Sequence, residues 1–496
     1  MTRKITTLLA LSLTASLLLA QEKDKEPDPT LTIGDTPAPV QVSHWLKGPK
    51  FSRKKPPETF VITFIDADEK GAALLQEVGR ITKDYKSSKI KALAVLPPIE
   101  KKPIADARAW VKANTKGLSV TVGLDKEGRT RKAWMEAMQA KAVPHSAIVH
   151  DGKIAWEGRP EDVLHDNVGE VLAGRLDLGL HWILRNRNQA NVIGRAMMSR
   201  KHEELIGLVD ERLKKFPESV NFYGLKFRAI SRMKDGKAKS LAFFEQGIET
   251  LAKTNQYAAI SFAESVNSLS RSPEVIEAAM TAMHGLSGAE ARYPGKAVAL
   301  QIKILDQQGK NQDALALAKK AFERFKASAA DLRALSGSLG NSKKVAVYKD
   351  VLRPILEARI PLETDPIYKD GALYLHWQIV AWLYDDAETT MAITKRALEQ
   401  LSRPDPMNGV LWDILTEKKF GDEYLDLAMT GTERMLAMKG LGPNQLDTAA
   451  LACWKKGDKK RAITLQERAL KAAKADEYPD EDLIQEFEKK LLKYKK

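Results

Sequence analysis

Thiols are almost missing from this chain: its 496 residues contain one cysteine, Cys453. A single thiol permits no intramolecular disulfide and no zinc site made of several cysteines. It says little about compartment, because many exported proteins carry no disulfide. Histidine is also sparse, with eight scattered copies, and no Ser/His/Asp set or phosphate-cradling glycine loop is legible. After residue 20 no stretch reaches the roughly 18 apolar residues that a membrane-crossing helix needs. Acid is the minority charge, 65 Asp and Glu against 79 Lys and Arg, for a net +14. Such a surplus favours anionic partners in general. Here, however, the lysines are interleaved with glutamates as on a solvated helix face, so no specific nucleic-acid partner is expected.

What is present begins with a basic start, Met1-Thr2-Arg3-Lys4, followed by an apolar run from Ile5 to Leu19 and then Ala20. This pattern predicts a signal peptide over 1–20, with an uncleaved anchor as the alternative. The mature chain is expected to be exported, with no membrane span after cleavage. Residues 21–30 are charged and broken by proline, the composition of a disordered linker. Folded sequence starts at Leu31.

From Thr59 onward strands and helices alternate. Phe60–Ile65 is a short β-branched and aromatic run that predicts a buried strand. Asp66 and Asp68 follow it as capping residues for a helix over Glu69–Tyr85, whose Leu74, Leu75, Val78 and Ile81 recur at helical spacing. Ile90–Leu96 and Leu118–Leu124 predict further strands, Ile104–Val111 and Thr130–Met138 short helices. Ala147–Val149, the turn Asp151-Gly152 and Ile154–Trp156 predict a hairpin, and a helix over Pro160–Leu172 closes the unit. Alternation followed by a hairpin implies a mixed sheet with helices on both faces.

The order Ile33-Gly-Asp-x-x-Ala38-Pro39, the strand–turn–helix after Phe64, Leu124-Asp-x-x-Gly128, Val143-Pro144-His145-Ser-Ala-Ile-Val and Asp151-Gly-Lys-Ile-Ala-Trp156-x-Gly158 resembles the thioredoxin-like redoxin domains of exported thiol-disulfide reductases. The resemblance covers residues 31–175. In that family the turn after the first core strand holds Cys-x-x-Cys. Placing Phe64 on the family's phenylalanine puts Glu69 and Ala72 at the two cysteine positions. The family's proline before the hairpin matches Pro144, which the resemblance implies is cis. Disulfide exchange needs a thiolate of low pKa beside a second sulfur, and neither a carboxylate nor a methyl group supplies one. The resemblance therefore implies an α/β thioredoxin-like fold that has lost its redox reaction.

From 176 to 496 the sequence reads as helix after helix. Leu205, Leu208, Val209, Leu213 and Phe216 form one apolar stripe stopped by Pro217. Gly309-x4-Ala314-x6-Ala321 recurs as Gly457-x4-Ala462-x6-Ala469, a pattern similar to tetratricopeptide repeats, in which the glycine permits the turn and the alanines let paired helices approach. Gly236 and Asp385 are candidates for degenerate copies. At about 34 residues per repeat there is room for roughly nine helix pairs, an all-α solenoid of irregular repeats.

Several residues invite sharper readings. Asp66-Ala-Asp68 after a strand matches the opening of aspartyl-phosphate phosphatases, but Lys70 stands where that motif wants Thr or Val. The same residues with Gly71 and Glu77 partly match a calcium loop, again interrupted by Lys70, so capping is the expected role and no metal or cofactor is expected. His145 and His150, five apart on one strand, face opposite sides and cannot share a metal. His145 would border the family's substrate groove beside Pro144, and is expected at the surface. Cys453 falls where the repeat pattern wants a core residue, so a buried, inert thiol is expected. Trp377, Trp382, Trp412 and Trp454 are expected in the repeat core. The function this implies is a non-catalytic scaffold that binds polypeptide through its repeats and through the groove near Pro144, Asp66 and Asp68. The alternative is a thiol-disulfide oxidoreductase.

Overall fold

The computed structural model describes residues 27–51, 57–98, 104–160, 163–438, 440–475 and 480–496. The expected signal peptide at 1–20 and the linker up to 26 lie outside the described residues. The chain divides into two compact units, Met1–Ala282 and Met283–Lys496.

Six strands in the first unit form one mixed sheet: β1 Val42–Lys47, β2 Thr59–Phe64, β3 Lys91–Leu96, β4 Thr121–Asp125, β5 His145–His150 and β6 Lys153–Gly158. Their order is β1-β4-β3-β2-β5-β6. The pairs β2–β3 and β3–β4 are parallel, while β2–β5, β5–β6 and β1–β4 are antiparallel. All six residues of β2 are buried, as a β-branched and aromatic run flanked by strands on both sides requires. The β5–β6 turn places both Asp151 and Gly152 at positive φ, 49° and 73°, the geometry an Asp-Gly hairpin adopts.

Alternate residues of the strands serve the two faces. Val61, Ala94, Val122 and Ile148 meet α1 Glu69–Asp84, α2 Ile104–Asn114 and α3 Leu164–Leu172 through Leu75, Val78, Val111 and Val168. Phe60, Ile62, Phe64, Leu93, Val95, Ala147 and Val149 cover the other face. That face is sealed by α4 Leu178–Arg185, α5 Arg187–Met198, α6 His202–Lys215 and α7 Val220–Ile230, through Trp182, Ile193, Phe216 and Phe222. The first unit therefore continues past 175: the change from strands to helices in the sequence is not where compactness divides the chain. Helices α8 Gly236–Thr254, α9 Gln256–Leu269 and α10 Pro273–Gly285 follow.

Two sequence expectations change in detail. The helix expected over Thr130–Met138 is a turn at Arg129–Arg131 that widens at Lys132–Glu136, and the one expected from Pro160 is α3, beginning at Leu164.

The second unit is helical throughout its described residues. It comprises α11 Pro294–Gln307, α12 Asn311–Phe325, α13 Ala329–Gly340, α14 Val345–Leu362, α15 Pro366–Leu383, α16 Ala387–Gln400, α17 Pro404–Thr416, α18 Leu425–Leu436, α19 Pro443–Lys455, α20 Lys459–Lys474 and α21 Glu481–Lys495. Gly309, between α11 and α12, and Gly457, between α19 and α20, hold φ of 78° and 87°, a region that costs other residues strain. Ala314, Ala321, Ala462 and Ala469 are all buried, so the two matching hairpins are built alike. Trp377 is fully buried, and Trp412 and Trp454 are half-buried. Trp382 departs from the expected core position: the residue is 43% exposed and its ring carries the Lys419 ammonium 3.6 Å from its centroid. The cation covers a face that packing leaves open.

Candidate functional site

The corner where β2 runs into α1 is the place the sequence singles out. Asp68 is the N-cap of α1, and its Oδ1 accepts the Gly71 amide at 2.7 Å. Gly71 has no room for a side chain, since a Cβ would lie 2.1 Å from the Asp66 carbonyl oxygen. The helix N-terminus is thus closed by its own preceding residue, which takes up a donor that would otherwise face a ligand.

Asp66 is turned to a different partner. Arg131 donates from Nη2 to the Ile65 carbonyl at 2.6 Å and to Asp66 Oδ1 at 3.1 Å. Arg131 is positioned in turn by Asp125 at the end of β4, whose two carboxylate oxygens accept the amides of Thr130 and Arg131 at 2.8 Å each. Glu69 is exposed and Ala72 half-buried, and no sulfur stands at either. Phe64 pairs with His145 in the β2–β5 register, so Pro144, one residue earlier, borders the same corner. The Val143–Pro144 peptide bond is cis. Among the described residues no three His, Cys, Asp or Glu side chains are grouped closely enough to hold a metal ion.

His145 corrects an expectation. Its ring is not at the surface: the residue is buried, and Nε2 lies 2.8 Å from Glu157 Oε2. Glu157, whose side chain is 1% exposed, also forms an ion pair through Oε1 with Arg185 Nε from α4. Arg185 donates further to the Met138 carbonyl at 3.2 Å. A buried carboxylate needs such neutralisation. Glu157 and Arg185 escaped the sequence reading because strict alternation puts Glu157 on the opposite face from Ile154. An irregularity between Ile148 and Val149 gives β6 one extra residue, so Glu157 pairs with Ala147 and turns to the same face as His145. His150, on the other phase of β5, meets Thr59 Oγ1 through Nδ1 at 2.6 Å, so the two histidines do not meet.

Cys453 is buried in α19, within the second unit's core. Burial pushes its thiol pKa up, away from the thiolate that redox chemistry needs. The described residues therefore combine a helix-capped corner lined by carboxylates and an arginine with a thiol locked in a core. That chemistry suits hydrogen bonding and charge recognition, and the corner holds no thiol.

No family model and no curated protein matches the chain. Among solved structures, one titled "Structure of Naa15/Naa10 bound to HypK-THB" is similar over 62% of this chain and 66% of its own, at 11% identity and a TM-score of 0.19.

Proposed function

We propose that this chain is an exported, non-catalytic scaffold that binds polypeptides, built from a thioredoxin-type sheet without its redox pair and a tetratricopeptide-like helical array. One observation carries the reading: the β2–α1 corner offers Glu69 and Ala72, capped by Asp68, where the resemblance calls for two sulfurs. The parallel β2–β3 pair with α1 between its strands, then the antiparallel β5–β6 hairpin closed by α3 on the same sheet, supports the fold half of the proposal. The paired helices of the second unit support the binding half, because stacked helix pairs present extended surfaces to other chains. Export rests on the basic and apolar start of the sequence alone.

The test is an insulin-reduction assay with dithiothreitol, run on the full chain. No turnover above the uncatalysed rate is expected. Turnover that survives Cys453→Ser would overturn the reading and favour an oxidoreductase using chemistry outside the corner.

A further inference from the structure

We propose that the groove between α8 and α10, in the first unit, docks a basic amphipathic peptide segment of a partner polypeptide. This rests on the scaffold reading above and names a site for it. Leu241, Phe244 and Ile248 lie along one stripe of α8 at helical spacing, with Leu241 partly exposed at the groove and Phe244 and Ile248 buried beneath it. Small side chains on α10, Ala278 and Ala282, leave the opposite wall shallow, and the groove, open to solvent, measures about 480 Å³. That is the size of a site able to take apolar side chains from a bound ligand.

The charged side chains that line the groove are carboxylates. Glu245 and Glu249 stand one turn apart on α8, and Glu274 and Glu277 on α10, all four exposed. Lys253 holds Glu249 at 2.7 Å and Lys237 holds Glu274 at 2.7 Å, with Ser272 Oγ also 2.6 Å from Glu274. Among the described residues Glu245 and Glu277 have no ion-pair partner, one on each side of the apolar floor. In a chain of net charge +14, this local surplus of carboxylate runs against the general sign. An apolar floor between acidic walls is complementary to a helix that presents leucine-like residues on one stripe and lysine or arginine beside them. Among the described residues that line the groove, the uncharged polar side chain is Thr281, which is exposed.

The test uses the full chain and a fluorescein-labelled peptide of roughly four helical turns, made of Lys and Leu with leucines on one stripe. Saturable anisotropy is expected, weakening with salt. Glu245→Lys with Glu277→Lys should weaken it at least about tenfold, and Ala278→Trp, which fills the groove, should weaken it as much. Circular dichroism must match wild type for each variant. Equal affinity in the charge-reversed chain, or equally tight binding of a Glu/Leu peptide of the same pattern, would overturn the proposal. So would sedimentation of the wild type as a dimer that the double variant dissociates, which would make the groove a self-association face. Peptide binding that neither variant alters defeats the groove but leaves the scaffold reading standing. Insulin turnover defeats the scaffold reading without touching this binding curve.

Discussion

Glu157 is the residue on which most depends locally. It is the shared acceptor for His145 and for Arg185, a buried strand carboxylate joining the residue after Pro144 to the first helix on that face of the sheet. Removing one partner of a buried ion pair leaves the others desolvated and unpaired, which costs more than the pair itself contributes. Arg185 is 35% exposed at its side chain, so water recovers part of the loss. Glu157→Ala is expected to cost about 2–3 kcal/mol, and Glu157→Gln less, because the amide keeps an acceptor and the shape. Urea unfolding followed by far-ultraviolet circular dichroism and tryptophan fluorescence measures both. A change under about 0.5 kcal/mol in the alanine variant would mean that solvent replaces the carboxylate.

Helix hairpins are the element whose construction the sequence discloses best. Gly457 sits at φ 87° with nothing within 4 Å of where a Cβ would be, so Gly457→Ala tests backbone strain without a clash. It should cost about 1 kcal/mol, read as a lower urea midpoint for the second unit, and no change there would remove strain as the reason for the glycine. The Asp151-Gly152 turn, the stripe of α1 and the glycine–alanine spacing of the repeats were legible because each follows from contacts a few residues apart. Strand β1 was not foreseen: it is an edge strand with register shifts at Val42/His44 and Trp45/Lys47, so its alternation is broken. The buried place of His145 was equally hidden, since it depends on a bulge in β6 and an arginine from α4. Likewise the exposed ring of Trp382 is set by how neighbouring helices pack, which apolar periodicity does not report. At the corner, the missing sulfur and the capping Asp68 were readable from the sequence, whereas the ion pair of Arg131 with Asp66 spans 65 residues and was not.

At the scale of the whole molecule, the two units carry histidines that answer pH with opposite signs. In the first unit His165, on α3, has its pKa raised, chiefly by a hydrogen bond to Asp166, with burial opposing and Asp84 of α1 adding to the rise. A base whose pKa is higher folded than unfolded stabilises the fold below its ordinary value of 6.5 and loses that contribution as pH climbs through the raised value. In the second unit His376, on α15, is buried and lowered to about 4, mainly by burial. Its contribution is complete above pH 6.5 and declines as pH falls from there toward 4, by at most roughly 3 kcal/mol, since each tenfold difference in proton affinity is worth about 1.4 kcal/mol. Hydrogen exchange corrected for intrinsic rates should show α3 losing protection as pH rises above 6.5 and α15 losing it as pH falls from 6.5 toward 4. Replacing His376 by Leu should abolish the acid-side loss, and an unchanged profile in that variant would assign it to other groups.

The placement of Cys453 gives experimenters a clock. Because the lone sulfhydryl is sealed inside α19, an alkylating reagent in the surrounding solution reacts only when that helix's neighbours part. The rate of mass gain in native conditions thus times the breathing of the second unit directly. Any cysteine introduced elsewhere on the surface would be modified first, leaving a clean handle for dyes or crosslinkers without deleting the native one.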